Sequence, residues 1–344
     1  MSERSGPSTI RDVALRAGVS TATVSRVLAG IGNPKPDTAA AVMSAVETLG
    51  YRPSGVARSL RMKRTQTLGL IVTDIQNPFF PELVQAADLA ARSLGYSIIL
   101  GSAAYDSHRA MHYLNLMVDR RVDGLLIASS QLSDESTQWL ATSPVPAVVI
   151  NALPTRDIQV PVISSDNEQG ARLAAEHLLA LGHRRIAFVR GAESYTPDKP
   201  RADAFRAACI AGGASADDLV ELRGDGLFEG GERAAIELLE RGHDVTAIAC
   251  YNDITAIGVL RGLRGAGKRC PAEISVIGFD DIDAASWTTP ALTTVAQQKA
   301  EMGRLAVERL VATLEHPDEP TDHEAVLLPM LLRVRESTGR APVR

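Results

Sequence analysis

Along residues 9–28 the apolar positions Ile10, Val13, Ala14 and Ala17 recur at i, i+3, i+4 and i+7. They therefore share one face of a short helix. Gly18 follows, free to take the positive φ that ends a helix, and Ser20 can cap the next one. In that second helix Val24, Val27 and Leu28 form the apolar stripe, which turns Thr21, Ala22, Ser25 and Arg26 outward. A third helical pattern runs over 37–49, with Asp37 or Thr38 as cap and Ala41, Val42, Ala45, Val46 and Leu49 on the buried side. Pro53 stops it, and Ser54 can cap a short helix over 55–60. From Thr67 the period changes. Continuous apolar runs (LGLIV 68–72, YSIIL 96–100, GLLIAS 124–129, AVVIN 147–151, RIAFVR 185–190, AIACY 247–251, SVIGF 275–279) alternate with helical stretches such as 81–94 and 110–121. Runs of that kind suit strands buried on both faces of a parallel sheet. The alternation occurs twice, over about 100 residues each time. It predicts two doubly wound parallel-sheet α/β lobes behind a small all-α head.

Charge sharpens the division. The chain has 344 residues and a formal charge of −5, but residues 1–64 hold ten Lys/Arg against four acids, or +6, which leaves −11 for the rest. A basic head on an acidic body points to a polyanion-binding module joined to another function. Two helices joined through a glycine turn form a helix-turn-helix, whose second helix presents its N-terminal residues to the major groove. Periodicity alone also allows a generic helical hairpin; the local charge favours DNA, because phosphate neutralisation supplies most non-specific affinity. The basic stretch Arg58, Arg61, Lys63, Arg64 carries Leu60, an apolar side chain of the kind that wedges into a minor groove.

Several classes drop out. No apolar run approaches the ~18 residues of a membrane span. Residues 1–10 are polar and lack a signal-peptide core, so a cytoplasmic protein is expected. Cys209, Cys250 and Cys270 are far apart and without a CxxC, which suits buried thiols and neither a disulfide framework nor a zinc site. His108 and His112 lie four apart but lack a third ligand, so no metal is expected. The run Gly262 to Lys268 imitates a phosphate loop, yet Arg269 follows where Ser/Thr is needed. Asp280 and Asp281 are adjacent after a strand and do not flank one bond as a glycosidase pair must. With no nucleophile–base constellation or GxSxG, no catalytic residue and no cofactor are assigned.

In open α/β sheets ligands bind at the carboxyl ends of the strands. That rule selects residues 74–80, Asn151, Asn252–Asp253 and Asp280–Asp281. Carboxylates and amides that bond paired hydroxyls, beside aromatic faces, form a mixture suited to a sugar.

The runs DVALRAGVSTATVSRVLAG, YRPSGVARSL and TLGLIVTDIQNPFF closely resemble the lac repressor family of bacterial transcription regulators. So, in order, do VDGLLI, DNEQGARLAAEHLLALGHRRIAFV, YNDITAIGVL, EISVIGFDDID and PALTTV, and together they cover about residues 9–338. Pro36 and Ala39 depart from the family pattern before helix three. The resemblance implies a helix-turn-helix domain (1–53), a hinge helix and linker (54–66) and a periplasmic-binding-protein-like body (67–344). The body would divide into an N-lobe (67–165 plus 296–325) and a C-lobe (166–295 plus 326–340). It places Thr21, Ala22 and Arg26 at base-reading positions with Ser25 beside them. Arg26 is suited to guanine, and Ala22 to a thymine methyl. It makes Leu60 the intercalating lever, flanked by Ala57 and Arg61. The expected partners are double-stranded DNA with a near-palindromic operator and a central CG step, a second copy of the chain (dimer or tetramer left open), and a small effector.

For the effector, the resemblance assigns Asn77, Phe79 and Phe80 to an aromatic wall and Arg201 to ligand oxygens, although Ala204 replaces a usual glycine. It makes Asn252 and Asp280 C-lobe anchors, Gln298 (Gln297 as alternative) a crossover contact, and Phe228 a pocket lining. Trp287 and Tyr105 are left undecided. Asn151–Ala152 replaces the Asp-Arg pair of ribose receptors. That departure leaves other pentoses, hexoses, disaccharides or nucleosides open; the aromatic wall and polar anchors make a sugar the expectation, with a purine- or nucleoside-responsive regulator, or a sugar-transport binding protein, as alternatives.

Overall fold

The computed structural model describes residues 8–28, 32–51, 64–129, 132–154, 160–192, 198–319 and 323–343. The chain divides into two units, Met1–Thr65 and Gln66–Arg344.

The first unit contains α1 (Ile10–Ala17), α2 (Thr21–Leu28) and α3 (Pro36–Leu49). Thr9 and Asp12 form a reciprocal capping box on α1, and Gly18 ends it at φ 65°. The Ser20 hydroxyl accepts the Thr23 amide at 3.1 Å and so starts α2. Val13, Ala14, Val24, Val42 and Ala45 make the shared core. The start of α3 differs from expectation. Lys35 occupies the cap position without a side-chain bond, and Pro36 is inside the first turn, where its fixed φ already suits a helix. Ala57, Leu60 and Arg61 lie outside the described residues.

In the second unit the elements are β1 (Thr67–Val72), α4 (Phe79–Ser93), β2 (Ser97–Ser102), α5 (Ser107–Asp119), β3 (Gly124–Ala128), α6 (Asp134–Thr142), β4 (Ala147–Ile150) and β5 (Val162–Ser165). The chain then enters α7 (Asn167–Ala180), β6 (Ile186–Val189), α8 (Asp198–Ala211), β7 (Leu219–Leu222), α9 (Phe228–Glu240), β8 (Ala247–Cys250), α10 (Asp253–Gly265), β9 (Ser275–Asp280), α11 (Asp283–Trp287) and β10 (Thr293–Ala296). It ends with α12 (Lys299–Glu315), β11 (Val326–Leu328) and β12 (Leu331–Arg333).

Two six-stranded sheets result, ordered β11-β5-β4-β3-β1-β2 and β12-β10-β9-β8-β6-β7. The first is parallel throughout, and in the second only β12 runs antiparallel, against β10. The inner strands are buried along their length, β3 and β9 completely, which is why they read as unbroken apolar runs. Helix α12 returns to the first lobe, where Met302, Ala306, Val307 and Leu310 join the core with Leu83 and Phe80. The expected boundary at 325/326 moves. Strand β11 pairs with β5 (Val326 opposite Ile163), so the last crossing between lobes falls at Pro329–Met330. A three-residue strand is too short for period reading to assign it to a sheet.

Candidate ligand-binding cleft and DNA-reading helix

The strand order reverses between β1 and β3 in the first sheet and between β6 and β8 in the second. Chains leaving the carboxyl ends of such strands diverge, and a crevice opens between them. Between the lobes it is lined by Asn77, Phe79, Phe80, Tyr105 and Asn151 from the first, with Arg201, Tyr251, Asn252, Asp280 and Gln297 opposite. Its empty space, open solvent at the mouth included, is about 360 Å3.

The aromatic wall begins where Asn77 turns the chain into α4. Its side-chain oxygen accepts the Phe79 amide at 3.0 Å. Phe79 and Phe80 then pack edge to face, with ring centres 5.1 Å apart, and both are buried.

Opposite lies Arg201, 3% exposed on α8. Its Nε donates to Asn167 Oδ1 at 2.7 Å and Nη1 to the Tyr251 carbonyl at 2.9 Å. The guanidinium stacks on Phe279 at 3.9 Å and Tyr251 at 4.7 Å from the ring centres. Planar stacking and two committed donors fix its orientation in the cleft wall. Helix α8 is itself anchored by Asp198, which accepts from Arg190 and from the Gly191 amide at 2.7 Å.

Asp280 is the cleft carboxylate. Gln297 Nε2 donates to its Oδ1 at 2.6 Å. Burial pushes it up to about 6, against the opposing pull of Arg201. Behind it Asp253, fully buried, accepts from Thr294 Oγ1 and the Ile282 amide at 2.9 Å. Desolvation, with Asp280 nearby, pushes Asp253 up to about 7. Two buried acceptors in the cleft, Asn151 Oδ1 and Gln297 Oε1, have no partner among the described residues. Buried acceptors left open cost stability unless a donor arrives from elsewhere. Tyr105 (φ 60°), Asn151 (φ 60°) and Asp280 (φ 123°) also hold backbone conformations that side chains disfavour. Such strain concentrates at binding sites.

The structure thus gathers Asn77, Phe79, Phe80, Asn151, Arg201, Asn252 and Asp280 at one crevice. Two assignments change, and a third residue has a double role. Gln298 faces away and donates to the Pro329 carbonyl at 2.8 Å; its neighbour Gln297 enters the cleft, because the residue before a helix start splits the two side chains. Phe228 begins α9 and is not among the cleft-lining residues. Asn252 lines the cleft, but its amide is engaged by the fold: Oδ1 caps α10 through the Thr255 amide and Nδ2 donates to Gly226. Tyr251 is a residue the strand-end rule passes by one position. Trp287 is 75% exposed and outside the cleft, whereas Tyr105 lines it. Among the described residues no cluster of three or more His, Cys, Asp or Glu could hold a metal. No described helix is long and apolar enough to cross a membrane.

In the head, Thr21, Ala22 and Arg26 are exposed on α2 and Ser25 is half-buried. The side chains expected to read bases are therefore presented along one outward face, with Val24 buried behind them.

A helix-turn-helix head and a two-lobed body with a polar crevice fit a ligand-sensing DNA-binding regulator. Comparison with known proteins agrees. The model described as "Bacterial regulatory proteins, lacI family" matches residues 9–54, and that of the "Periplasmic binding protein-like domain" matches 175–338. Catabolite control protein A of Priestia megaterium is 35% identical over 331 residues, 96% of this chain and 99% of that protein. The ribose operon repressor of Escherichia coli (strain K12) is 36% identical over 310 residues, covering 90% and 94%. The crystal structure of the lac repressor dimer bound to operator and the anti-inducer ONPF superposes with a TM-score of 0.86 at 29% identity, covering 97% of this chain and 100% of that one. The chain belongs to the lacI family of bacterial transcriptional regulators.

Proposed function

We propose that this protein is a homodimeric repressor whose hold on a near-palindromic operator is set by a neutral polyhydroxylated sugar bound between the lobes. The observation that carries the sugar is the pair of open acceptors, Asn151 Oδ1 and Gln297 Oε1, beside Arg201 and Asp280, the one guanidinium and the one carboxylate among the described cleft-lining residues. Acceptors of this kind call for ligand hydroxyls. One charge of each sign among the described lining residues favours a neutral molecule over a phosphate or an acid. The Phe79–Phe80 wall suits the C–H face of a ring. The names of the ribose operon repressor and of a ribose-bound family structure support the same class.

On the DNA side, Arg26 would pair with guanine, while Thr21, Ala22 and Ser25 contact neighbouring groups. Ala57, Leu60 and Arg61 would enter the minor groove at a central CG step. Sugar binding changes the angle between the lobes, and so the spacing of the two DNA heads across the dimer. Acting on the chromosome, the protein would work in the cytoplasm.

The test combines a gel shift on DNA upstream of its own gene with a thermal-shift screen of sugars, nucleosides and purines. A salt-sensitive shift altered by a neutral sugar is expected. No shift, or melting raised by purines alone, overturns the reading. Arg201→Ala should abolish the response to the active sugar and leave operator binding intact. An unchanged sugar dissociation constant would refute the role of Arg201.

A further inference from the structure

Lys299 is the first residue of α12, yet its side chain is only 3% exposed. Both facts are unfavourable on their own. The N-terminal end of a helix repels cations, and a buried ammonium is costly unless fully partnered. Its partners supply the compensation. Nζ donates to the Asp280 carbonyl and to the Asp281 carbonyl, each at 2.8 Å, and pairs with Glu82 Oε2 at 3.1 Å.

Those partners belong to different lobes. Asp280 ends β9 of the second sheet. Glu82 lies in the first turn of α4, the helix that starts with Phe79 and Phe80. Lys299 sits on the crossover between them.

Asp280 and Asp281 are successive residues at φ 123° and 55°. Backbone of this kind persists only where its surroundings over-determine it. Here the Asp280 carboxylate is held by Gln297 at 2.6 Å and the Asp281 carboxylate by Arg335 at 2.5 Å. The two carbonyls are held by Lys299.

We propose that Lys299 is a positioning residue that aims the Asp280 carboxylate into the cleft and ties it, across the lobes, to the Phe79–Phe80 wall. It lies behind the cleft and acts through Asp280 and Glu82. Its consequence for effector binding rests on the proposed sugar site; the strut itself exists in ligand-free protein and is tested there.

The experiment is hydrogen–deuterium exchange on the full-length, ligand-free protein with Lys299→Met, Lys299→Arg and Glu82→Gln variants. The reporting amides are Asp281, Ile282 and Gln297, bonded to Thr294, Asp253 and Asp280, and Phe79 and Phe80, bonded to Asn77. Lys299→Met should speed exchange about tenfold at both groups, with strand 186–189 unchanged. Lys299→Arg, which keeps a cation and several donors, should restore most of the protection. Glu82→Gln should loosen Phe79 and Phe80 alone. Wild-type protection in Lys299→Met overturns the proposal, as does faster exchange spread evenly over both lobes, the mark of general destabilisation. Should Lys299→Met fail to fold, the exposed Glu82→Gln decides: an unaltered first turn of α4 overturns it. Because no sugar is used, a failed effector screen leaves the exchange result, and the strut it tests, unaffected.

Discussion

At the scale of residues, the proposed sugar site divides side chains that would serve the ligand from those that serve the fold. Arg201 would do both, since Nε and Nη1 are bonded within the fold and Nη2 would be left for the ligand. Asn252 is mostly structural, since it caps α10 and holds Gly226. Asn252→Ala should lower stability by about 1–2 kcal/mol in chemical denaturation, the combined loss of a cap and a buried bond. The buried carboxylates make a pH prediction. Asp253 is raised from 3.8 to about 7, so between those values the folded state binds more protons than the unfolded one. Its contribution to stability therefore falls as pH rises through that window and is fully adverse above about 7. His177 and His183, lowered by burial, act in the opposite direction below their ordinary range. The clean measurement is the difference between proteins. Relative to wild type, Asp253→Asn should gain melting temperature as pH is raised from 5 to 8. An equal pH slope in both would show that Asp253 ionises normally.

At the scale of elements, periodicity located the helices and strands well and their ends less well. Gly18 and Ser20 could be placed because a cap is a local event, read within four residues. The start of α3 could not, since Pro36 serves inside the first turn without any capping side chain. Helix–helix approach is another matter of packing. At Gly303 a side chain on α12 would collide with the Leu83 carbonyl of α4, so the glycine is what allows these helices their close contact. Gly303→Ala should cost about 1–3 kcal/mol by forcing them apart, despite the better helix propensity of alanine. A thermal melt unchanged or raised would show that the helices can shift freely.

At the scale of the molecule, the +6 head and −11 body have opposite electrostatic tasks. Operator affinity should fall on the order of a thousandfold between about 50 and 200 mM salt, while affinity for the proposed neutral sugar should barely move. Parallel titrations of both ligands would check this; matched salt slopes would contradict the division of labour. The sequence by itself determined the helix-turn-helix, the two doubly wound lobes, the family and most cleft residues. Periodicity and caps carry the first two, motif resemblance carries the family, and the strand-end rule together with that resemblance carries the cleft residues. Tertiary structure alone decided that Gln297 and not Gln298 faces the cleft and that Phe228 stays outside it. It also decided that β11 joins the first sheet and that Lys299 bridges the lobes. Each depends on how segments distant in the chain meet, and a one-residue step at a helix start or crossover changes what a side chain faces while leaving the pattern of apolar and polar positions intact.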